Sequence, residues 1–398
     1  MRSADPPDAG ADEVRDSPRA SALASLREKV REFFDLIVPE TLAQHKGRLE
    51  RARAWRKALY QAGFGGLGYP AEFGGHGSDP ADLAVYEEES RGRLPPEEDV
   101  FAIGARMALP IIRDLASPDV KRRFLRPGLS GEEIWCQLYS EPGAGSDLAS
   151  LSTRAVLDGD EWVITGQKVW TSGAQYSQLA VLLARTDPEA PKHRGITMFI
   201  LPMEQEGVTV RPLRQMTGNA EFNEVFLDRA RLPREWVIGE LNGGWRPAVA
   251  LLAHERVATG TGSVARSETE RAKSGRMPLP VRQLVELAAE RDRSGDPRVR
   301  QDLARLYTGE KLMGWLGQRG AHPSIGKLWR TLQGRDAAQL AHTLALGGGA
   351  AWAPDDATRD YFAYHILNCR AMSIGGGTDE MQRNTLAEKV LGMPREPA

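Results

Sequence analysis

Hydrophobic positions give the chain three successive textures. Near its start, Leu26, Val30, Phe33, Phe34 and Ile37 recur close to the 3.6-residue helical period. Helical spacing resumes over 83–93 and 100–115, and a short helix over 121–125 is expected to stop at Pro127-Gly128. A Gly/Pro-rich interruption occupies 69–80. The middle of the chain reads differently. Apolar runs at 161–165, 179–184, 196–201 and 208–210, separated by turn residues, have the pattern of strands. From Trp245 onward helical spacing returns, over 245–264, 281–292, 299–318, 325–346 and 362–372. There is no internal repeat.

This order predicts an α+β chain. A polar extension covers 1–20, a helical domain 21–133, a β domain 134–238 and a second helical domain 239–398. With 398 residues the chain can bury a large core in two or three domains. Hydrophobic content of 41% and charged content of 27% are those of a water-soluble globular protein. A net charge of -2 gives no electrostatic support for nucleic-acid binding. No apolar stretch approaches the roughly 20 residues of a membrane span. Residues 1–20 lack the apolar region of a secretory signal, so disorder and a cytoplasmic location are expected. Cys136 and Cys369, the two cysteines, suggest neither a disulfide framework nor a metal site.

Two runs carry the chemistry. Trp135 to Asp147 (WCQLYSEPGAGSD) is apolar and then abruptly small and polar, as where a strand ends in a tight turn. Gly143 and Gly145 let backbone N–H groups approach a ligand, and Ser140 and Ser146 add hydroxyls. Gly166 to Gly173 (GQKVWTSG) supplies the indole of Trp170, able to cover a planar ring, with Thr171 and Ser172 beside it. Together they suit a flat heterocycle bearing carbonyl and phosphate oxygens. Alone, the Gly/Ser turn would read as an ordinary β-turn.

Both runs resemble the flavin-binding signatures of the acyl-CoA dehydrogenase family. Further matches occur in family order: YPAEFGG from Tyr69, FNEVF from Phe222, LAHERV from Leu252 and GGGTDEMQRN from Gly375. The resemblance implies a helical N-terminal domain, a central β-barrel-like domain and a C-terminal four-helix bundle that mediates oligomer contacts. It also implies FAD as cofactor, an acyl-CoA or acyl-carrier thioester as substrate, and an electron-transfer flavoprotein as electron acceptor. In that reaction the α-hydrogen leaves as a proton and the β-hydrogen as hydride to flavin N5, giving the trans-2-enoyl thioester. A carboxylate is the usual base.

Many members place this Glu directly before the Gly-Thr of the C-terminal motif, where this chain has Gly376. Other members, resembling isovaleryl-CoA dehydrogenase, place it on a helix immediately before an Arg. Glu255-Arg256 matches that position, so Glu255 is the expected base. Leu251, Leu252 and Ala258 give its helix face an apolar character, against the alternative of a surface carboxylate paired with a basic side chain. The resemblance also gives roles to further residues. The backbone N–H of Gly376 and a flavin ribityl hydroxyl would hold the thioester oxygen. Ser146 would touch flavin and pantetheine, and Arg256 would face either the substrate or a structural ion-pair partner. Gln137 and Tyr139, two apart on an extended strand, would face the isoalloxazine. Ser140, Gly145, Trp170, Thr171 and Ser172 would line the cofactor. Thr378 and Glu380 match positions reaching its phosphate or adenosine, sometimes across a subunit interface, and Gln339 with Gly348 resembles the glutamine and glycine-rich turn that contacts the neighbouring subunit's cofactor.

The chain departs from the family after the Glu-Arg helix. An Arg-x-x-Phe-Gly motif that binds the neighbouring subunit's flavin diphosphate is absent, and Pro278 and Pro280 interrupt the region. Arg266, Arg271 or Arg276 could replace it, a non-identical subunit could supply it, or flavin binding could be weak. Homo-oligomer (dimer or tetramer) and mixed oligomer therefore both stay open. So do two other functions: a flavin-dependent monooxygenase or oxidase of the same fold, and a non-catalytic subunit of a mixed oligomer. The acyl group is not readable, beyond a lean toward bulky or branched ones.

Overall fold

A curled sheet lies between two sets of helices. The computed structural model describes residues 18–77, 79–260, 279–345 and 357–395, with backbone alone at 253–260 and 357–360. The N-terminal helices are α1 (Pro18–Glu32), α2 (Val38–Ala43), α3 (Arg48–Gln61), α4 (Pro80–Glu89), α5 (Leu109–Leu115) and α6 (Pro118–Ser130). Val30, Phe33 and Phe34 pack with Trp55, Leu59 and Phe64, as their spacing predicted. Ile37 does not join them and is exposed. Residues Phe33–Ile37 form a π turn, whose extra residue shifts the helical phase so that Val38, not Ile37, turns inward.

Two other helices differ from expectation for local reasons. The segment expected as one helix over 100–115 is instead a 3-10 turn (Pro96–Phe101), a π turn (Gly104–Ala108) and α5. The Leu109 N–H bonds to the Gly104 carbonyl in that π turn, immediately before Pro110, which has no N–H to give. Conversely, α6 runs through Pro127 to Ser130. The Pro127 carbonyl accepts the N–H groups of Gly131, Glu132 and Glu133, so the helix end is satisfied beyond the proline.

The sheet comprises β1 (Trp135–Leu138), β2 (Arg154–Asp158), β3 (Glu161–Ser172), β4 (Leu179–Arg185), β5 (Ile196–Pro202), β6 (Val208–Leu213), β7 (Phe222–Pro233) and β8 (Val237–Ile238). Its order is β6-β7-β3-β2-β4-β5-β8, with β1 parallel beside β4. The run at 179–184 is continuously apolar because both faces of β4 are covered. Leu179, Val181 and Leu183 pack on Ile112, Phe124 and Leu129 of the helices. Ala180, Leu182 and Ala184 face an inner core with Trp162, Ile164 and Val225. Trp162 of β3 meets Phe199 of β5 with centroids 5.2 Å apart, although these strands are not neighbours, so the sheet curls as a barrel does.

The C-terminal helices are α7 (Trp245–Gly260), α8 (Val281–Glu290), α9 (Pro297–Gln318), α10 (Pro323–Leu344), α11 (Ala357–Asn368) and α12 (Asp379–Thr385). Leu284, Leu306, Leu340, Leu344 and Phe362 draw α8 to α11 into one four-helix core. Helix α7 packs against the π turn at Gly104–Ala108 and against α10.

Candidate active site

The two motif runs meet through hydrogen bonds that neither shows alone. Glu141 and Ala144 exchange backbone bonds of 3.1 Å each, closing the turn after β1, and the Val169 N–H donates to the Ser140 carbonyl at 2.9 Å. Beneath the turn lies Lys168, fully buried, whose Nζ donates to the Tyr139 carbonyl at 3.0 Å and to Glu141 Oε1 at 2.8 Å. Glu141 Oε1 also accepts the Thr153 N–H, and Oε2 accepts the Ser152 N–H and hydroxyl. Burial alone would raise the Glu141 carboxyl, but Lys168 and these donors hold it down at about 2. Burial lowers the Lys168 ammonium to about 8, so both groups are charged at neutral pH.

This pair was missed in the sequence. Its signal was a lysine at an inward position of an apolar strand, within the same run as Trp170. Gly166 matters for the same reason: a Cβ there would lie 2.7 Å from the Thr153 Cα and 2.4 Å from its Oγ1. Gly166→Ala is therefore expected to cost about 1–3 kcal/mol by overpacking and to reduce flavin occupancy. Chemical denaturation and the ratio of flavin to protein absorbance check both effects.

Residues 170–172 do not face one way. The β3–β7 ladder slips between Lys168 and Thr171, placing Val169 and Trp170 opposite Glu224. Trp170 has φ 62, an outlier for a bulky residue, and its indole is 60% exposed, edge-on to Phe222 at 5.9 Å. Thr171 is buried, while Ser172 lines a cleft of about 360 Å³. That cleft lies between the N-terminal helical segment (Val100, Ala102, Ile103), the sheet (Trp135, Ser172) and the C-terminal helices.

Gly376 lines the same cleft as Ser172, though 204 residues separate them in sequence (376 − 172). Its φ is 68 and that of Gly377 is 84, a double left-handed turn that side chains adopt only with strain. The Gln382 amide donates to the Gly376 carbonyl at 3.0 Å, the buried Lys327–Asp379 pair closes at 2.9 Å, and the Thr331 hydroxyl donates to the Met372 carbonyl. The loop is thereby fastened to α10. Thr378 caps α12 through the Met381 N–H, and Glu380 is exposed beside Arg383. Neither lines the cleft.

The other expected residues are dispersed. Trp135 and Tyr139 share a strand face, but Tyr139 is buried in the core packed on the helices rather than open to the cleft. Gln137 is half-buried beside it. Ser140 is half-buried at the strand end, and Gly145 and Ser146 are exposed on the turn. Gln339 is exposed on α10. Gly348 lies outside the described residues, as do the side chains of Glu255 and Arg256, whose backbone belongs to α7.

The donors present suit a flavin. The Gln215 amide nitrogen at the cleft and the Thr171 hydroxyl are buried without a hydrogen-bond partner among the described residues. The N–H groups of Gly145 and Ser146 likewise bond to no described residue. A heterocycle with ring nitrogens and carbonyl oxygens, trailing phosphates, would satisfy such a set.

Models of the acyl-CoA dehydrogenase N-terminal, middle and C-terminal domains match residues 22–132, 136–230 and 242–391. This chain belongs to the acyl-CoA dehydrogenase family. It is an FAD-dependent oxidoreductase acting on the CH–CH bond of an acyl-CoA. As an acyl-CoA dehydrogenase it is 39% identical over 357 residues to IpdE1 of Mycobacterium tuberculosis, covering 87% of this chain and 89% of that one. Among solved structures it is similar to the Tcur3481-Tcur3483 steroid ACAD, at TM-score 0.72 and 30% identity, covering 94% of this chain and 98% of that one. It is also similar to the ChsE4-ChsE5 complex of Mycobacterium tuberculosis, at TM-score 0.71 and 26% identity, covering 96% and 99%. Among the described residues, no helix of this dehydrogenase is long and apolar enough to cross a membrane.

Proposed function

We propose that the chain carries out α,β-dehydrogenation of a bulky acyl-CoA with Glu255 as the base. The observation that carries this reading is the double glycine turn at Gly376-Gly377 on the cleft wall, where the alternative family carboxylate is replaced by backbone. Ala248 and Leu251 of α7 are fully buried, and position 255 follows them at seven and four residues, on the same helical stripe. α7 packs on α10, which lines the cleft, and on the π turn that directly follows the lining residues Ala102 and Ile103, which supports a base delivered from that helix. Glu255 takes the α-proton as general base. The Gly376 N–H holds the thioester oxygen as negative charge grows on it, a role that survives loss of the side chain. FAD, when bound, supplies the two-electron acceptor for the β-hydrogen, and an electron-transfer flavoprotein reoxidises it.

Arg256 and Ser146 would help seat the thioester, and Gln137, Ser140, Trp170, Ser172, Thr378 and Glu380 the cofactor. A steroid-derived acyl group is favoured by the steroid dehydrogenase to which the chain is similar. A mixed oligomer is the second reading. It rests on the missing Arg-x-x-Phe-Gly and on the two-chain naming of both similar structures. Retention of Glu255 speaks against the monooxygenase and silent-subunit alternatives. The test is an anaerobic absorbance titration of the purified protein with isovaleryl-CoA, a long-chain acyl-CoA and a steroid side-chain acyl-CoA. Bleaching by the steroid thioester is expected. Bound flavin that stays oxidised with all three would overturn the dehydrogenase reading, and a colourless protein would favour the mixed oligomer.

A further inference from the structure

The FNEVF run places Asn223 on β7 with its side chain wholly buried. Asparagine is a poor strand former, and a leucine of similar size would fill a sheet interior with no polar demand. Asn223 Oδ1 has no hydrogen-bond partner among the described residues. A buried amide that carries such a cost points to a task for its other end. Its Nδ2 donates to the Thr171 carbonyl at 3.0 Å and to Gln175 Oε1 at 2.6 Å. Chemistry fixes the direction of both contacts. A main-chain carbonyl only accepts, so the Asn223 atom facing Thr171 is the amide nitrogen. The Gln175 atom beside that nitrogen is then the oxygen, and Gln175 Nε2 is the end left over. That nitrogen bonds to no described residue. Both partners belong to the cleft: Thr171 directly precedes Ser172, and Ser172 and Gln175 line the cavity. Thr171 pairs with Asn223 where the β3–β7 ladder resumes after Val169 and Trp170. One amide therefore clamps the end of the bulge and holds Gln175 by its oxygen.

We infer that Asn223 is a positioning residue that acts through Gln175 on the flavin ring. Gln175, held by its oxygen, offers its N–H groups to an acceptor atom of the ring, while the anchored Thr171 carbonyl fixes Ser172 in place. This deepens the proposed function and rests on its reading that Ser172 seats the cofactor. A donor at a ring acceptor favours the reduced, electron-rich flavin, so the network raises the flavin midpoint potential.

The experiment is a double-mutant cycle of N223L and Q175L on the flavin-loaded enzyme. FAD dissociation constants, flavin absorbance bands and midpoint potentials are measured for all four proteins. Q175L changes an exposed residue, so the fold is kept while one donor is lost. FAD binding should weaken about 2–10-fold and the potential should fall. N223L keeps volume and neutral charge but donates to neither partner. It should lower the potential and shift the absorbance bands. In the Q175L background it should cost at least about threefold less FAD affinity than in wild type, because its effect passes through Gln175. Equal costs in the two backgrounds overturn the inference, as does N223L flavin with wild-type bands and potential, the mark of a merely structural role. Should N223L not fold, the smaller change N223S takes its place in the cycle, with the same deciding outcomes. No thioester enters these measurements. A failed acyl-CoA titration therefore sinks the dehydrogenase reading alone, and an additive cycle sinks this inference alone.

Discussion

Glu255→Gln is expected to keep flavin bound while abolishing its bleaching by acyl-CoA. Glutamine matches glutamate in size and retains a hydrogen-bonding head, so the cofactor cradle is undisturbed, but it cannot accept a proton. A positioned general base is worth about 10²–10⁴-fold in rate, and the loss should fall in that range. The control is Gly376→Ala, which keeps the main-chain N–H. The left-handed backbone at φ 68 makes alanine strained, by about 1 kcal/mol, so a modest loss of stability and rate is expected there without loss of the reaction. Rapid-mixing absorbance at the flavin band reads both variants. An E255Q enzyme that bleached near the wild-type rate would exclude Glu255 and turn the search to the acidic residues that line the cleft, Asp99 and Glu221.

The second large effect is expected from the ion pair beside the turn that Glu141 and Ala144 close. Lys168→Met strands a buried carboxylate with the three remaining donors, the Ser152 N–H and hydroxyl and the Thr153 N–H, and Glu141→Gln strands a buried ammonium. Removing one partner of a buried pair costs about 3–5 kcal/mol. Each single variant should therefore lose most of its stability margin and release flavin, because the pair also fixes the Tyr139 carbonyl and the crossing of the two runs. The double variant K168M/E141L should recover much of the stability, since no lone charge remains. The pH dependence follows from the lowered Glu141 value. Its stabilisation is fully present above the ordinary carboxylate range and is lost as pH falls toward about 2. The stability gap between wild type and E141Q should therefore narrow in acid. Denaturation midpoints measured from neutral pH down to the acid limit check this, and a gap that widened in acid would contradict the pairing.

The Lys168–Glu141 pair also shows where reading along the chain stops. Both residues stand in runs that sequence alone marks as chemical, yet nothing local pairs a strand lysine with a glutamate 27 positions away (168 − 141). The Trp170 bulge is similar. Its register slip, which leaves Val169 and Trp170 opposite the single residue Glu224, is set by pairing with β7 and has no local signature. Ile37 fails for the same class of reason, since one π turn rotates every position after it.

Sequence by itself determined the helix–sheet–helix order, the strand at 179–184, the small, polar turn after β1 and the absence of a carboxylate at Gly376. These are legible because hydrophobic period, glycine and residue chemistry act within a few neighbours. The tertiary structure decided the strand order, the bulge, the buried ion pair and the cleft that gathers Ser172, Arg330 and Gly376. Each of those depends on contacts between segments far apart in the chain, where register, packing and desolvation override local preference.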